Sequence, residues 1–368
     1  MRYHPPVEPT KALPPITGRG APSNPRPTRT GSAERVADGD WLDAAEDIDG
    51  TATPLRTTVT VENPKTIISR NKSPDISFDR SINPYRGCEH GCIYCFARPT
   101  HAFHDLSPGL DFESRLFAKP DAAALLRTEL AKRGYTAAPI AIGTNTDGYQ
   151  PVEREWGITR AIIEVLAETR HPLIVTTKSD RILRDIDLLA DMARDHLVGV
   201  AISVTTLDPA VARTLEPRAP HPRRRLAAIR KLIDAGVPTQ VNISPIIPAI
   251  TDHEIEAIMA AAAEAGAIRA SYILMRLPHE VAPLFRAWLA AHYPERADKV
   301  MHMVQDIRGG RDNDPNFFSR MKGHGVWAQL IRTRVKRAAR ANGMDRSFPP
   351  IRSDLFKPPE RDGQMELF

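Results

Sequence analysis

Cysteine is the scarcest informative residue in this chain of 368 residues: three are present, and all lie between positions 88 and 95. An odd number in one short window argues against a disulfide framework and indicates metal or redox chemistry. No apolar run approaches the roughly 18 residues that a membrane-spanning helix needs, so no membrane contact is expected. The N-terminal residues lack the apolar stretch of a secretory signal, and a cytoplasmic location is therefore expected.

The rest of the composition sets broad bounds. Apolar residues make up 42% of the chain, which is enough to bury one large core or two modest ones. The formal charge of +5 arises from 50 Lys and Arg against 45 Asp and Glu. This mild excess of positive charge allows contact with nucleic acid without requiring it.

Composition and residue pattern divide the chain into three regions. Residues 1–65 contain ten prolines and no sustained apolar periodicity, so they are predicted to form a disordered tail. Within it, residues 18–21 and the acidic residues 38–49 are expected to be solvated. Residues 66–292 alternate between strand and helix patterns, whereas residues 293–368 form a basic C-terminal extension. That extension includes a predicted basic helix over residues 326–341.

Residues 66–292 contain six strand–helix units in strict alternation. Alternation of this kind predicts an α/β fold, with a parallel sheet and helices packed outside it. Six units suit a partial (β/α)6 barrel better than a closed eight-unit one, and ligands are expected at the C-terminal ends of the strands. The predicted strands are residues 76–83, 139–143, 173–177, 198–205, 239–243 and 271–275.

The three cysteines form the pattern C-x3-C-x2-C, as Cys88, Cys92 and Cys95. Three thiolates in one loop suit an iron–sulfur cube, and they leave its fourth iron open for a substrate. A zinc site is the main alternative, in which His90, His101 or His104 supplies the fourth ligand. A redox pair made from the last two cysteines leaves the first unexplained.

The order Cys88-x3-Cys92-x-Tyr94-Cys95 resembles the signature of radical S-adenosylmethionine (radical SAM) enzymes. The flanking residues 81–98 resemble the spore-photoproduct-lyase-like, or "DNA repair photolyase", branch of that superfamily. The segments at residues 143–147, 149–153, 215–218 and 245–248 resemble it too. The likeness covers about residues 66–345, and the N-terminal tail is similar to that of a bacterial subgroup within the branch.

The resemblance implies a [4Fe–4S] cluster on the three cysteines and S-adenosylmethionine at the open iron. It also implies an external electron donor of the flavodoxin or ferredoxin type. Tyr94 matches the family aromatic that packs near the adenine. Asn145 and Thr146 stand where the second-strand motif of the family holds the methionine amino group. Lys178 and Ser203 stand where contacts to the carboxylate and the ribose are expected, although a surface ion pair and a strand-end hydroxyl would also explain them.

One departure from the branch concerns its hydrogen-atom donor. Spore photoproduct lyases are expected to use an additional cysteine for this purpose, and no fourth cysteine exists here. The sequence assigns no catalytic residue and gives no oligomeric state. It leaves three functions open: a radical SAM enzyme acting on nucleic acid, one acting on a protein or metabolite, and a zinc-stabilised nucleic-acid-binding module.

Overall fold

A computed structural model describes residues 16, 18–27 and 55–360 of the chain. Among these residues, no helix is both long enough and apolar enough to cross a membrane. The strands are β1 (Thr58–Val61), β2 (Ile68–Arg70), β3 (Arg80–Ile82), β4 (Tyr85–Arg86), β5 (Arg115–Ala118), β6 (Ile140–Ile142), β7 (Leu173–Thr177), β8 (Val198–Ser203), β9 (Thr239–Ile246) and β10 (Arg269–Leu274).

Twelve α-helices and four short 3₁₀ helices accompany the strands within the described residues. The α-helices are α1 (Leu110–Ser114), α2 (Ala122–Leu130), α3 (Glu153–Trp156), α4 (Ile158–Glu168), α5 (Ile186–Arg194), α6 (Pro209–Leu215), α7 (Pro222–Asp234), α8 (Ile255–Glu264), α9 (Val281–His292), α10 (Ala297–Asp306), α11 (Ser319–Lys322) and α12 (Gly325–Ala341). The 3₁₀ helices are Arg98–His104, Asp180–Asp185, Asp252–Glu254 and Pro294–Arg296.

A seven-stranded sheet forms the centre of the molecule, in the order β10-β9-β8-β7-β6-β3-β2. Six of its strands are parallel and follow the order of the chain, and only β2 is antiparallel to its neighbour. Every residue of β8 is buried, as expected for a strand covered on both faces. The predicted α/β fold is therefore confirmed. Its sheet stays open, with β2 and β10 at the two edges.

A second sheet, which the sequence did not predict, supports the cysteine loop. It has three strands in the order β1-β5-β4, and β4 ends two residues before Cys88. These strands are only two to four residues long, too short for periodicity to reveal them. Because β5 pairs with both neighbours, it fixes the point at which the chain enters the cysteine loop.

The N-terminal strap, residues 18–27, does not form the solvated tail that the sequence predicted. Arg19 and Ala21 are buried, and the amides of Gly20 and Ala21 each donate to the Glu113 carboxylate at 2.9 Å. Glycine is needed at position 20, since a Cβ there would lie 1.9 Å from the Gly91 carbonyl oxygen. The prediction of disorder over residues 1–65 is wrong for this segment, and also for residues 55–65, which include β1. Residues 38–49 lie outside the described residues.

The C-terminal extension packs back onto the sheet. Helix α10 packs on α9, while α11 and α12 cover the edge strand β10. Helix α12 is the basic helix predicted over residues 326–341, and its buried face contacts α8. Beyond it, the amides of Arg352 and Lys357 donate to the carbonyls of His196 and Thr169, each at 2.9 Å. The described part of the C-terminal tail therefore lies along the protein surface.

Candidate cofactor site

The cysteine loop lies over the C-terminal edge of the parallel sheet. Cys88 and Cys92 are buried and Cys95 is partly exposed. All three line one cavity of ≈ 210 Å³, whose other walls come from the C-terminal parts of β7, β8, β9 and β10 and from residues that follow β6, β7 and β10. Gly87 has a φ of +76°, and a Cβ there would lie 2.6 Å from Leu116. A glycine is therefore required where the chain turns into the loop.

The three thiols interact with one another. Burial, together with Asp147 and the other two cysteines, raises the pKa of Cys88 well above its usual value. Burial likewise raises the pKa of Cys92 to about 12. Protonated thiols are poor metal ligands, so a cationic metal centre would be needed to hold this set as thiolates. The set fits an iron–sulfur cube, whose irons take thiolate ligands from around a shared space.

Each of the nearby histidines has a contact to a group other than a thiol. His90 Nδ1 lies 3.3 Å from Asp147 Oδ2, and His101 Nε2 is hydrogen-bonded to the Arg115 carbonyl at 2.9 Å. The His104 ring stacks on Phe117 with 4.4 Å between ring centroids. Across the described part of the chain, no three His, Cys, Asp or Glu side chains converge on a point where they could hold a single metal ion. The geometry therefore gives no support to a Cys3His zinc site.

A buried arginine holds the loop from its outer side. Arg98 is fully buried and donates to the carbonyls of Cys92 at 2.9 Å and Gly91 at 3.1 Å. Its charge is met by Glu113, at 2.5 Å, the same carboxylate that binds the N-terminal strap. Burying such a pair is favourable only when hydrogen bonds satisfy the remaining donors, and here backbone carbonyls do so. The cysteine loop is thus fixed by Arg98, which is held by Glu113 of α1, and the same carboxylate binds the N-terminal strap.

A second clamp joins the loop to the segment after β6. Gln150 is buried; its side-chain oxygen accepts from the Glu89 amide at 2.8 Å and its nitrogen donates to Thr146 Oγ1 at 2.9 Å. Thr146 Oγ1 in turn donates to the Gly87 carbonyl at 2.6 Å. The Thr146 hydroxyl is therefore committed to positioning the cysteine loop, although the residue lines the cavity as predicted.

All five cofactor-binding residues expected from the sequence line the same cavity: Tyr94, Asn145, Thr146, Lys178 and Ser203. Asn145 lies exposed at the rim, where its backbone N–H donates to Asn83 Oδ1 at 2.9 Å. A surface ion pair was the alternative explanation for Lys178, and among the described residues it forms none. Its Nζ lies 5.8 Å from the centroid of the Tyr94 ring. Ser203 is the last residue of β8 and is buried.

Two buried carboxylates stabilise the cavity walls. Although burial opposes ionisation, His90, Thr177 and the Lys178 amide hold the pKa of Asp147 well below its usual value. Burial also opposes ionisation of Glu216, yet Arg225 and Lys178 lower the pKa of Glu216 to about 2.

Glu216 anchors the aromatic residue of the cysteine motif. Its carboxylate accepts from Tyr94 Oη and from Thr205 Oγ1, the latter at 2.7 Å, and pairs with Arg225 at 2.5 Å. The sequence marked residues 215–218 only as a family segment and gave Glu216 no role. An acidic residue between a leucine and a proline was the one signal that the sequence offered.

The sequence of this chain is similar to those of known proteins over the region that contains the cysteine loop. Residues 82–262 match the sequence profile of the Radical SAM superfamily. The chain is 37% identical over 240 residues to the uncharacterised protein Rv2578c of Mycobacterium tuberculosis, covering 64% of this chain and 71% of that one. The chain belongs to the radical SAM superfamily. A more distant relative is MJ0683 of Methanocaldococcus jannaschii, 28% identical over 173 residues, 47% of this chain and 62% of that protein.

Among solved structures, this radical SAM chain shares its fold with spore photoproduct lyase. The lyase complexed with dinucleoside spore photoproduct superposes with a TM-score of 0.55 over 77% of this chain and 79% of that one, at 16% identity. A doubly substituted mutant of the lyase, with bound AdoMet and the dinucleoside, gives the same TM-score and identity, over 77% and 78% of the two chains. The fold is that of the branch which the sequence resembles.

Proposed function

We propose that this radical SAM protein is an enzyme that reductively cleaves S-adenosylmethionine at a [4Fe–4S] cluster held by Cys88, Cys92 and Cys95. One observation carries the proposal: the only three cysteines of the chain line a single cavity at the ligand-binding edge of the sheet. When bound, the reduced cluster and S-adenosylmethionine supply a 5′-deoxyadenosyl radical that abstracts hydrogen from a substrate.

Different residues of the cavity would bind different parts of S-adenosylmethionine. Lys178 keeps its charge, because Cys92 and Glu216 raise its pKa above the usual value despite burial, so it can bind the methionine carboxylate. We assign Ser203 to the ribose, because it lines the same cavity. The Tyr94 ring, held by Glu216, offers a face to the adenine, and Asn145 at the rim can accept from the amino group.

The reaction type follows less directly. With all cysteines assigned to the cluster, no thiol remains to return a hydrogen atom, so we propose a reaction that differs in this step from spore photoproduct repair. The class, lyase or transferase, stays open. We further propose that the enzyme works in the cytoplasm, where flavodoxin- or ferredoxin-type carriers can supply the electron.

A nucleic acid is the substrate class that we favour. The fold relative described above was solved with a dinucleoside, and α12 presents exposed Arg332, Lys336, Arg337 and Arg340 to solvent. Such a face can bind phosphates, with affinity that falls as salt rises. A peptide or small metabolite remains the alternative substrate.

The test is anaerobic incubation of reconstituted protein with dithionite and S-adenosylmethionine, followed by chromatography for 5′-deoxyadenosine. Wild-type protein should form this product, and Cys92→Ala should form none. Lys178→Gln should keep its iron and raise the S-adenosylmethionine concentration needed for half-maximal rate. Equal product from wild type and Cys92→Ala would refute the proposal.

A further inference from the structure

Two cationic side chains line the cavity on separate walls. Lys178 follows β7 and Arg276 follows β10, and strands β8 and β9 lie between them. Three interstrand spacings separate the two backbones by about 14 Å. The two side chains therefore start from separate walls of the cavity, and each can bind an anionic group of its own.

Lys178 is accounted for within the cofactor site. It lies beside Glu216, Cys92 and the Tyr94 ring, and the proposed function assigns it the methionine carboxylate. S-adenosylmethionine has one carboxylate, so it leaves the second cation without a partner. The inference below rests on the proposed function in this respect.

Arg276 has no hydrogen bond or ion pair to any residue that the structure describes. Its guanidinium lies 4.7 Å from the centroid of the Phe96 ring. Cys95, which lines the same cavity, is close enough to raise the pKa of Arg276. The nearby carboxylate of Asp75 raises its pKa, but Asp75 already accepts from Arg320 at 2.6 and 2.7 Å and from the Phe318 amide at 3.0 Å. Burial and Arg320 lower the pKa of Arg276 from its usual value.

The position of Arg276 is fixed by a neighbouring arginine. Arg308, which is buried, donates to the carbonyls of Leu274 at 2.7 Å and Met275 at 2.8 Å, directly before Arg276. It also donates to the carbonyl of Arg320 at 2.9 Å. The backbone that carries Arg276 is therefore held against the segment around Arg320, and Arg276 itself lines the cavity.

We infer that Arg276 binds an anionic group of the substrate, a carboxylate or a phosphate, at the cavity mouth beside Cys95. A guanidinium recognises both oxyanions through paired hydrogen bonds. The Phe96 ring is 45% exposed and supplies an adjacent apolar surface for the uncharged part of the same molecule. The substrate would thus enter with its anionic end on the β10 side, opposite the S-adenosylmethionine carboxylate.

Calorimetry with paired compounds tests this assignment. The full chain, carrying its cluster and saturated with S-adenosylmethionine but without reductant, is titrated with thymidine 5′-monophosphate against thymidine, and with hippurate against hippuramide. The wild-type protein should bind the anionic member of at least one pair about tenfold more tightly than the neutral member. Preference in one pair alone identifies whether phosphate or carboxylate is bound.

Three variants test whether Arg276 causes the preference for the anionic compound. Arg276→Gln should abolish the preference, whereas Arg223→Gln, which removes an equal charge from an exposed site on α7, should leave it intact. Arg276→Lys keeps the charge but loses the paired geometry and should retain only part of the preference, which covers the case that Arg276→Gln does not fold. Equal binding of both members by wild type, or a preference that survives in Arg276→Gln, would overturn the inference.

The same preparations separate this inference from the proposed function. Formation of 5′-deoxyadenosine by wild type, measured with dithionite and no added compound, reports the cofactor chemistry alone. Normal product with no anion preference would reject the role of Arg276 and leave the proposed function standing. A preference that depends on Arg276, without any 5′-deoxyadenosine, would reject the proposed function instead.

Discussion

At the scale of single residues, buried charges organise the cavity. Glu216 and Arg225 are both fully buried, and the carboxylate also holds Tyr94 and Thr205. Removing one member of such a pair leaves an uncompensated charge, which costs more than the pair itself contributes. The position of Tyr94 and the pKa of Lys178 therefore depend on a residue that does not itself line the cavity.

Glu216→Gln should lower the free energy of unfolding by about 3 kcal/mol, because it leaves the Arg225 charge buried and unpaired. Urea denaturation measures this directly. The matched control is Glu164→Gln, which breaks an exposed pair with Arg160 and should cost less than about 1 kcal/mol. Equal losses in the two variants would show that Glu216 does not organise this site.

His171 gives a prediction on pH. It is buried, its Nε2 is 2.8 Å from Tyr135 Oη, and burial lowers the pKa of His171 to about 4. Unfolded histidine titrates near 6.5. Between these values the unfolded chain binds the extra proton, so the free energy of unfolding falls as the pH drops, by about 1.4 kcal/mol per unit. It should therefore be about 2 kcal/mol lower at pH 5 than at pH 7 from this residue alone.

Urea denaturation at the two pH values checks this contribution. In His171→Phe the difference between pH 7 and pH 5 should shrink by that amount, whatever the absolute stability of the variant. An unchanged difference would mean that the pKa of His171 is not lowered in the folded protein.

At the scale of elements, sequence periodicity predicted the parallel strands but not the contacts between segments that are distant in sequence. Strand β7 has the predicted bounds, and the other five parallel strands differ by a few residues at their ends. Helices α3 and α4 are separated by Gly157, which has a φ of +63° and left no periodic signal. The cysteines and the residues after β6, β7 and β8 were placed at one cavity because parallel strands end at one edge.

Other features of the site were not predictable in the same way. Glu113 is distant in sequence from the strap it binds, and Arg276 is distant from Phe96. Neither contact leaves a pattern in the local sequence, since each depends on the fold to bring the partners together. The strap also contains no apolar periodicity; backbone hydrogen bonds and a close glycine contact hold it in place.

The N-terminal strap gives the prediction at this scale. Gly20→Ala places a methyl group against the Gly91 carbonyl, so the strap should lift from the cysteine loop. The free energy of unfolding should fall by about 1–3 kcal/mol. Hydrogen exchange at residues 18–27 should rise at the same time.

Ser23→Ala lies in the same strap and is the control. It leaves the Ser23 carbonyl free to accept from Leu110, at 3.2 Å, and should change neither quantity. Protection of the strap that is the same in Gly20→Ala and wild type would contradict its docked position.

At the scale of the whole molecule, α12 carries the proposed contact with nucleic acid. Lys336→Gln/Arg337→Gln should weaken binding of single-stranded DNA and reduce the slope of log K against log salt by about 1.4. Titrations at several salt concentrations measure both effects. The control, Lys132→Gln/Arg133→Gln, removes an equal exposed charge next to α2 and should have little effect. Equal slopes for all proteins would remove α12 from the interface.

The central claim concerns the whole molecule too: three cysteines, brought to one cavity, hold a cube whose fourth iron accepts S-adenosylmethionine. Its most direct test is the electron paramagnetic resonance spectrum of the reduced, oxygen-free protein, recorded before and after addition of S-adenosylmethionine. About four irons and four sulfides per chain are expected, with a cluster signal that changes when the ligand is added. A single zinc without sulfide, or a cluster signal that S-adenosylmethionine leaves unchanged, would contradict the account.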